Sequence, residues 1–249
     1  VDLNADLGEG RDPWEATGDP ALLGVVTSAN VACGFHAGGP STMRRATEAA
    51  AARGVTVGAH VSYRDRDGFG RRRVDVAPDV LADEILYQLG ALEAMAVAAG
   101  TSVAYVKPHG ALYNRIVDDV DQAAAVVAAV VAFRPGTPVL GLPGSVVLRL
   151  AGDAGLRPVT EAFPDRGYRP DGTLVARGEE AALHHDPDDV ARRAVRLACD
   201  GVVRGADGTD VAVAADSLCV HGDAPGAFAR AVAVRRALGG AGVTLAPFA

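Results

Sequence analysis

Six short segments hold nearly all the side chains of this sequence that could move a proton or grip an anion. "DLNADLGEG" carries Asp2, Asn4, Asp6 and Glu9, and "SANVACGFHAGG" carries Asn30 and His36. "GAHVSYRDRDGFGRR" ends an apolar run in His60, and "YVKPHGALYN" brings Lys107 and His109 two residues apart. "EAFPDRGY" supplies Glu161, Asp165 and Arg166, and "LCVHGD" supplies Cys219, His221 and Asp223. Histidines beside carboxylates can act as general acids and bases, and a lysine at the end of an apolar strand can hold a developing negative charge. Taken singly each is ambiguous: His60 reads equally as general base, metal ligand or core histidine. Their shared position is what counts, because each group follows a β-branched run.

Those runs predict strands at Val1–Ala5, Val25–Val31, Val55–Ala59, Val103–Val106, Pro138–Leu142, Pro158–Thr160 and Ser217–Val220. Alternation along the first strand puts Asp2, Asn4 and Asp6 on one face. Between the strands lie amphipathic segments. Residues 78–99 open on Pro78 and repeat Leu81, Ile85, Leu89, Leu92 and Ala96 at helical spacing, with Gly100 as the stop. Residues 40–54 and a segment opening at Pro187 follow the same pattern, and 123–133 is apolar on every face, which predicts a deeply packed helix or one that meets a partner. Strand–helix alternation without a linker predicts one α/β domain over 1–249, and ionisable residues at most strand ends favour a closed barrel over an open sheet. Seven strands are expected, or eight if "GVTLAPF" closes the ring. Residues 163–186, rich in turn formers and charge, read as a lid-like excursion, with His184 and His185 exposed to solvent.

Composition narrows the function. The net charge of −7 and the single basic triplet Arg71–Arg73 argue against a nucleic-acid partner. Three cysteines without metal-ligand spacing suit a reducing, cytoplasmic setting, and no secretion signal or membrane-spanning stretch is evident. The spacing from Gly34 to Gly39 imitates a phosphate loop, but Pro40 stands where that motif needs lysine. What remains there is a glycine-rich turn before a helix, which favours an anion.

The six segments, with "DGTLVAR" before the last of them, also resemble the LamB/YcsF family in their order, most specifically at "SANVACGFHAG" and "KPHGALYN". Gly39 and Val61 depart from the family's pattern, as does "ARGEEAAL" after "GTLV". The resemblance implies a variant (β/α) barrel like those of glycoside hydrolases and deacetylases. It implies one component of a cytoplasmic, ATP-dependent 5-oxoprolinase that opens the lactam of 5-oxoproline to L-glutamate with partner subunits B and C. ATP is then a co-substrate of the complex, accompanied by magnesium. On that footing Asp6 or His60 is the expected base, and Lys107 and His109 stabilise the oxyanion or phosphoryl group. Asn4, Glu9, Asn30, His36, Asp165, Arg166, His221 and Asp223 are the expected substrate contacts. Two alternatives stand beside it: a metal-dependent amide or carbohydrate deacetylase, with Asp6, His36 and His60 as ligands, and a non-catalytic ligand-binding subunit.

Overall fold

The computed structural model describes residues 1–249 apart from 11–13, 15–16 and 222–225. Seven parallel strands close into a barrel in the order β1 (Asp2–Leu7), β2 (Ser28–Ala32), β3 (Thr56–Val61), β4 (Val103–Pro108), β5 (Pro138–Gly141), β6 (Arg157–Ala162) and β9 (Ser217–Cys219). The barrel closes because β9 pairs with both β6 and β1. The segment "GVTLAPF" adds no eighth strand. It crosses the barrel floor instead, where Phe248 meets Tyr105 edge-on at 4.9 Å.

The helices follow the strands: α1 (Asp19–Leu22), α2 (Pro40–Ala51), α3 (Pro78–Ala98), α4 (Gly110–Arg115), α5 (Val120–Phe133), α6 (Val146–Asp153), α7 (Pro187–Asp200) and α8 (Ala227–Gly240). In α3 the expected stripe of Leu81, Ile85, Leu89, Leu92 and Ala96 is wholly buried. Burying each of the larger ones stabilises the fold by about 1.5–3 kcal/mol. The apolar helix α5 is wedged between α3 and α6, and the cap at its start is the Asp119 carboxylate accepting from Gln122 N–H.

After β6 the chain leaves the barrel. Residues 163–186 contain no helix and are pinned by two isolated antiparallel bridges, Arg166–Leu183 and Tyr168–Leu174. Beyond α7 a small antiparallel hairpin of β7 (Val202–Arg204) and β8 (Asp210–Ala212) turns through Asp207-Gly208. His184 departs from the expected solvent exposure: it is half-buried, with Nδ1 2.8 Å from Asp189, while His185 is exposed.

The barrel interior is polar. Strand register sets Asn4 beside Cys219, Asp6 beside Asn30, Glu161 beside Ser217 and His60 beside Lys107. Room for the Tyr105 ring inside this narrow barrel comes from Gly58, since a Cβ there would overlap the ring. Tyr105 in turn donates from its hydroxyl to Asn30 Oδ1 at 2.6 Å.

Candidate active site

The inward face of β1 begins a continuous network. Asp2 accepts from Ser28 and Ser217. Asn4 donates to Glu161 Oε1 (2.9 Å) and Ser217 Oγ (2.7 Å), and Asn30 donates to Asn4 Oδ1 (2.6 Å) and Asp6 Oδ1 (2.9 Å). Every one of these side chains is buried, so their polar atoms depend on partners inside the barrel, and Glu161 Oε2 is left without a hydrogen-bond partner.

Lys107 sits at the centre. Its Nζ lies 2.8 Å from Glu161 Oε1, 3.0 Å from Cys219 Sγ, 3.2 Å from Asp6 Oδ1 and 3.3 Å from Asn4 Oδ1. An ammonium has three hydrogens, so four acceptors exhaust it. Burial works against the charge, yet the carboxylates of Asp6 and Glu161 hold the pKa well above a free lysine's. Burial likewise opposes ionisation of Asp6, but His60 and Lys107 keep it well below the usual carboxylate range. These contacts make Lys107 the clamp on Asp6 and leave it no spare proton for an oxyanion. They also make Asp6 a weak base.

Above the network three histidines meet one carboxylate. Nδ1 of His60 lies 3.0 Å from the Lys107 carbonyl, and Nε2 of His109 lies 2.9 Å from the Phe69 carbonyl. A carbonyl only accepts, so both outer nitrogens carry hydrogen. The inner nitrogens, His60 Nε2 and His109 Nδ1, face each other at 2.9 Å. Two lone pairs cannot face at that distance, so a cation must lie between them: a shared proton or a metal ion. Burial opposes a charge on His60, but Asp6 at 3.4 Å, helped by Glu9, raises its pKa. Burial, reinforced by neighbouring histidines, pushes His109 and His36 well below the ordinary histidine value. Of the two, His60 is therefore the one whose surroundings favour a positive charge.

His36 backs this pair. Its ring stacks on His109 with centroids 3.9 Å apart, and its Nε2 lies 2.8 Å from Glu9 Oε1. Glu9, His36, His60 and His109 together place one ligand atom each within 4.8 Å of one another, a buried set that could hold a metal ion. If an ion were held here, Glu9, His60 and one of the two stacked histidines would supply its protein ligands. Three protein ligands is the number that catalytic zinc sites keep.

A second pair faces the first. Both oxygens of Asp165 lie within 3.1 Å of His221 Nδ1, and Asp165 also accepts the His221 backbone N–H. Burial would raise this carboxyl, but the His221 charge and hydrogen bonds, with Arg166, bring it down to about 2. With Nδ1–H committed to Asp165, Nε2 is the accepting nitrogen of His221. Phe163 stacks on the His221 ring at 5.3 Å. The adjacent Asp165 and Arg166 do not pair with each other; Arg166 donates through Nε and Nη2 to the carbonyls of Ala182 and Val175.

A cavity of about 870 Å³ opens between the two pairs, the size of a small-molecule site. Asp6, His60, Lys107, His109, Arg166 and His221 reach its wall. Asn4, Glu9, Asn30 and His36 stand behind as supports. Asp165 stands behind His221 in the same way, and Asp223 lies outside the described residues. The Gly34–Gly39 turn does not line the cavity, and Arg66 donates to its Gly34 and Gly38 carbonyls. Glu161 was not among the expected contacts, although it stands two residues from Val159 on β6 and so shares its inward face.

The sequence matches the LamB/YcsF family over residues 1–249. The chain belongs to that family. It is 62% identical over 249 residues to the 5-oxoprolinase A subunit of Streptomyces griseus, and 57% identical over 248 residues to the protein of that name from Mycolicibacterium gilvum. These alignments span all of this chain and 100% and 98% of the relatives. Among solved structures, the lactam utilization protein from Thermus thermophilus superposes with a TM-score of 0.93 at 46% identity, covering 100% of this chain and 99% of that one. A peptidoglycan N-acetylglucosamine deacetylase domain from Eubacterium rectale shares the fold alone, with a TM-score of 0.50 at 10% identity over 99% of this chain and 88% of that one. Among the described residues no helix is long and apolar enough to cross a membrane.

Proposed function

We propose that this LamB/YcsF member is the A subunit of a cytoplasmic, ATP-dependent 5-oxoprolinase and hydrolyses the activated lactam of 5-oxoproline to L-glutamate. The observation that carries the reading is the pair of opposed histidine systems across one cavity, one facing Asp6 and Glu9 and the other aligned by Asp165. Full-length likeness to proteins named as the A subunit of 5-oxoprolinase supports it.

A lactam resists water because its amide is resonance-stabilised. ATP answers that if the lactam oxygen attacks the γ-phosphorus, forming an O–P bond and releasing ADP. This chain has no phosphate-loop lysine, so the step belongs to partner subunits B and C, with magnesium on the nucleotide. Here His221, aligned by Asp165, takes a proton from water as the water oxygen bonds to the activated carbon. The His60–His109 pair gives its proton to the ring nitrogen as the C–N bond breaks. The product is an acyl phosphate on the opened chain, and a second water cleaves it to L-glutamate and phosphate. Lys107, Asn4 and Asn30 act as positioning residues that fix Asp6, and Asp6 keeps His60 charged. The whole of 1–249 acts as one barrel unit, with 163–186 as the lid that carries Asp165 and Arg166.

The test is reconstitution: the purified chain is mixed with B and C, and ATP consumption and glutamate release are followed with each component omitted. Glutamate release that persists without this chain overturns the reading. The Glu9–histidine cluster favours a second reading, a metal-dependent amide hydrolase in which those residues hold a divalent ion that supplies Lewis acidity. Stoichiometric metal in the purified chain, with hydrolysis that needs no ATP and is lost on chelation, selects that alternative.

A further inference from the structure

Most arginines around the site face its open mouth: Arg71, Arg73, Arg115, Arg166, Arg169 and Arg177 all line the cavity. Arg193 does not. It lies on the buried face of α7, in a stripe with Val190, Ala194 and Leu197 where helical spacing calls for an apolar side chain. It is only 6% exposed. Burying a guanidinium is costly unless its donors are answered. Here every nitrogen donates to a main-chain carbonyl: Nε to Pro164 at 2.8 Å, Nη2 to Arg166 at 2.7 Å and Nη1 to Arg204 at 2.9 Å.

Two of those carbonyls stand on either side of Asp165, whose carboxylate meets His221. The stretch 163–166 has just left β6 and has no strand or helix to fix it. Other bonds reinforce the grip: the Phe163 N–H donates to the Tyr168 hydroxyl at 2.7 Å, and the His184 N–H donates to the Asp165 carbonyl at 2.9 Å. What the stretch carries is the mount of His221. Asp165 holds the ring by its edge and accepts its backbone N–H, while Phe163 stacks on its face at 5.3 Å with the planes 21° apart. A rigid, planar fork can span two carbonyls one residue apart from each other's neighbour, and a lysine's point-like ammonium cannot.

We propose that Arg193 is a positioning residue for the His221–Asp165 pair. By gripping the carbonyls that flank Asp165, it sets the Asp165 carboxylate and the Phe163 ring against the imidazole. Arg193 touches no ligand and acts through Asp165. Loosening the stretch frees His221 Nδ1–H, and with it the orientation that leaves Nε2 as the accepting nitrogen. The use of His221 as a base rests on the reading above; the mounting of its ring does not.

The experiment compares wild type with Arg193→Lys, Asp165→Asn and the double variant. In the full-length chain alone, proton NMR of protein carrying 15N-histidine follows the His221 Nδ1–H resonance, assigned by its loss in His221→Gln. In Arg193→Lys this resonance should move toward that of a water-exposed imidazole. The His60 Nδ1–H resonance, held by the Lys107 carbonyl, should stay in place and report an intact barrel. In the complex with B and C, kcat for glutamate release should fall about tenfold or more in Arg193→Lys, with KM changed less than about twofold. Added to Asp165→Asn, the same change should cost less than about twofold further, because the residue through which it acts is already altered. Arg193→Gln, which buries no charge, replaces the lysine variant if that chain does not fold. An unmoved His221 resonance overturns the proposal, as does an equal loss of kcat in the Asp165→Asn background. Failure of both Arg193 variants to fold marks a purely structural residue and overturns it too. If the resonance moves as expected but the wild-type complex makes no glutamate, the proposed activity fails and the positioning role stands.

Discussion

Lys107→Met is the sharpest perturbation of this architecture. Methionine keeps the length of the stem but removes the ammonium that lies 2.8 Å from Glu161 and 3.2 Å from Asp6. Glu161 is then left with Asn4 as its donor, while Asp6 keeps Asn30 and His60. Removing one partner of a buried ion pair costs about 3–5 kcal/mol, because a charge is left without compensation. At about 2–4 °C per kcal/mol for a chain of this size, the melting temperature should fall by roughly 6–20 °C. Lys107→Met combined with Glu161→Gln should recover part of that loss, since it neutralises one of the stranded carboxylates. Thermal unfolding at pH 7 of wild type, single and double variants measures both. The single variant should also move the pH profile of glutamate release by the assembled complex to higher pH, because the Lys107 charge lowers the His60 pKa and its loss lets His60 keep a proton further up the scale. A melting temperature within about 2 °C of wild type, the equivalent of under ~1 kcal/mol, together with an unmoved profile, would refute the assignment of Lys107 as the clamp.

Other outcomes follow from the same geometry. Asp165 is depressed to about 2, so its contribution is complete above the ordinary carboxylate value near 3.8 and is lost as pH falls through 2. Asp165→Asn should therefore flatten the acid limb of the stability curve between about pH 4 and 2, and cost about 2 kcal/mol at neutral pH, read by denaturant unfolding. Gly70 has φ +65°, and a Cβ there would lie 2.8 Å from both His109 Cδ2 and His36 Cβ, besides overlapping Ser62 Oγ. Gly70→Ala should spread the stacked rings and reduce glutamate release more than it lowers melting temperature. His60→Gln removes the donated proton and should slow turnover of the complex by about 10²–10⁴, with much less effect on ATP-independent binding of ligand.

Much of the scaffold was legible because its signals are local. Pro78, the Leu81–Ala96 stripe and Gly100 define a helix without reference to anything else, and alternation places Asp2, Asn4 and Asp6 on one face. The β7–β8 hairpin was missed although Asp207-Gly208 marks a turn, because its strands are only three residues long. Roles inside the site were less legible because they depend on register between distant strands. Nothing local distinguishes a lysine facing a ligand from one surrounded by Glu161, Cys219, Asp6 and Asn4. The same holds for histidines 36, 60 and 109: their order in the chain shows that they share a rim, but not that one is stacked, one set against Asp6 and one wedged between. Asp165 and Arg166 look like a local ion pair in sequence, and only the fold shows each turned to a different partner.

The interlocked interior also constrains how such a barrel can evolve. Asn4, Asn30, Glu161, Ser217 and Lys107 each satisfy at least one of the others. A solitary change at any of them strands a neighbour, so viable lineages must exchange these residues in concert or leave them alone. Innovation is freer at the arginines of the mouth, where a new ligand can be courted without disturbing the column beneath.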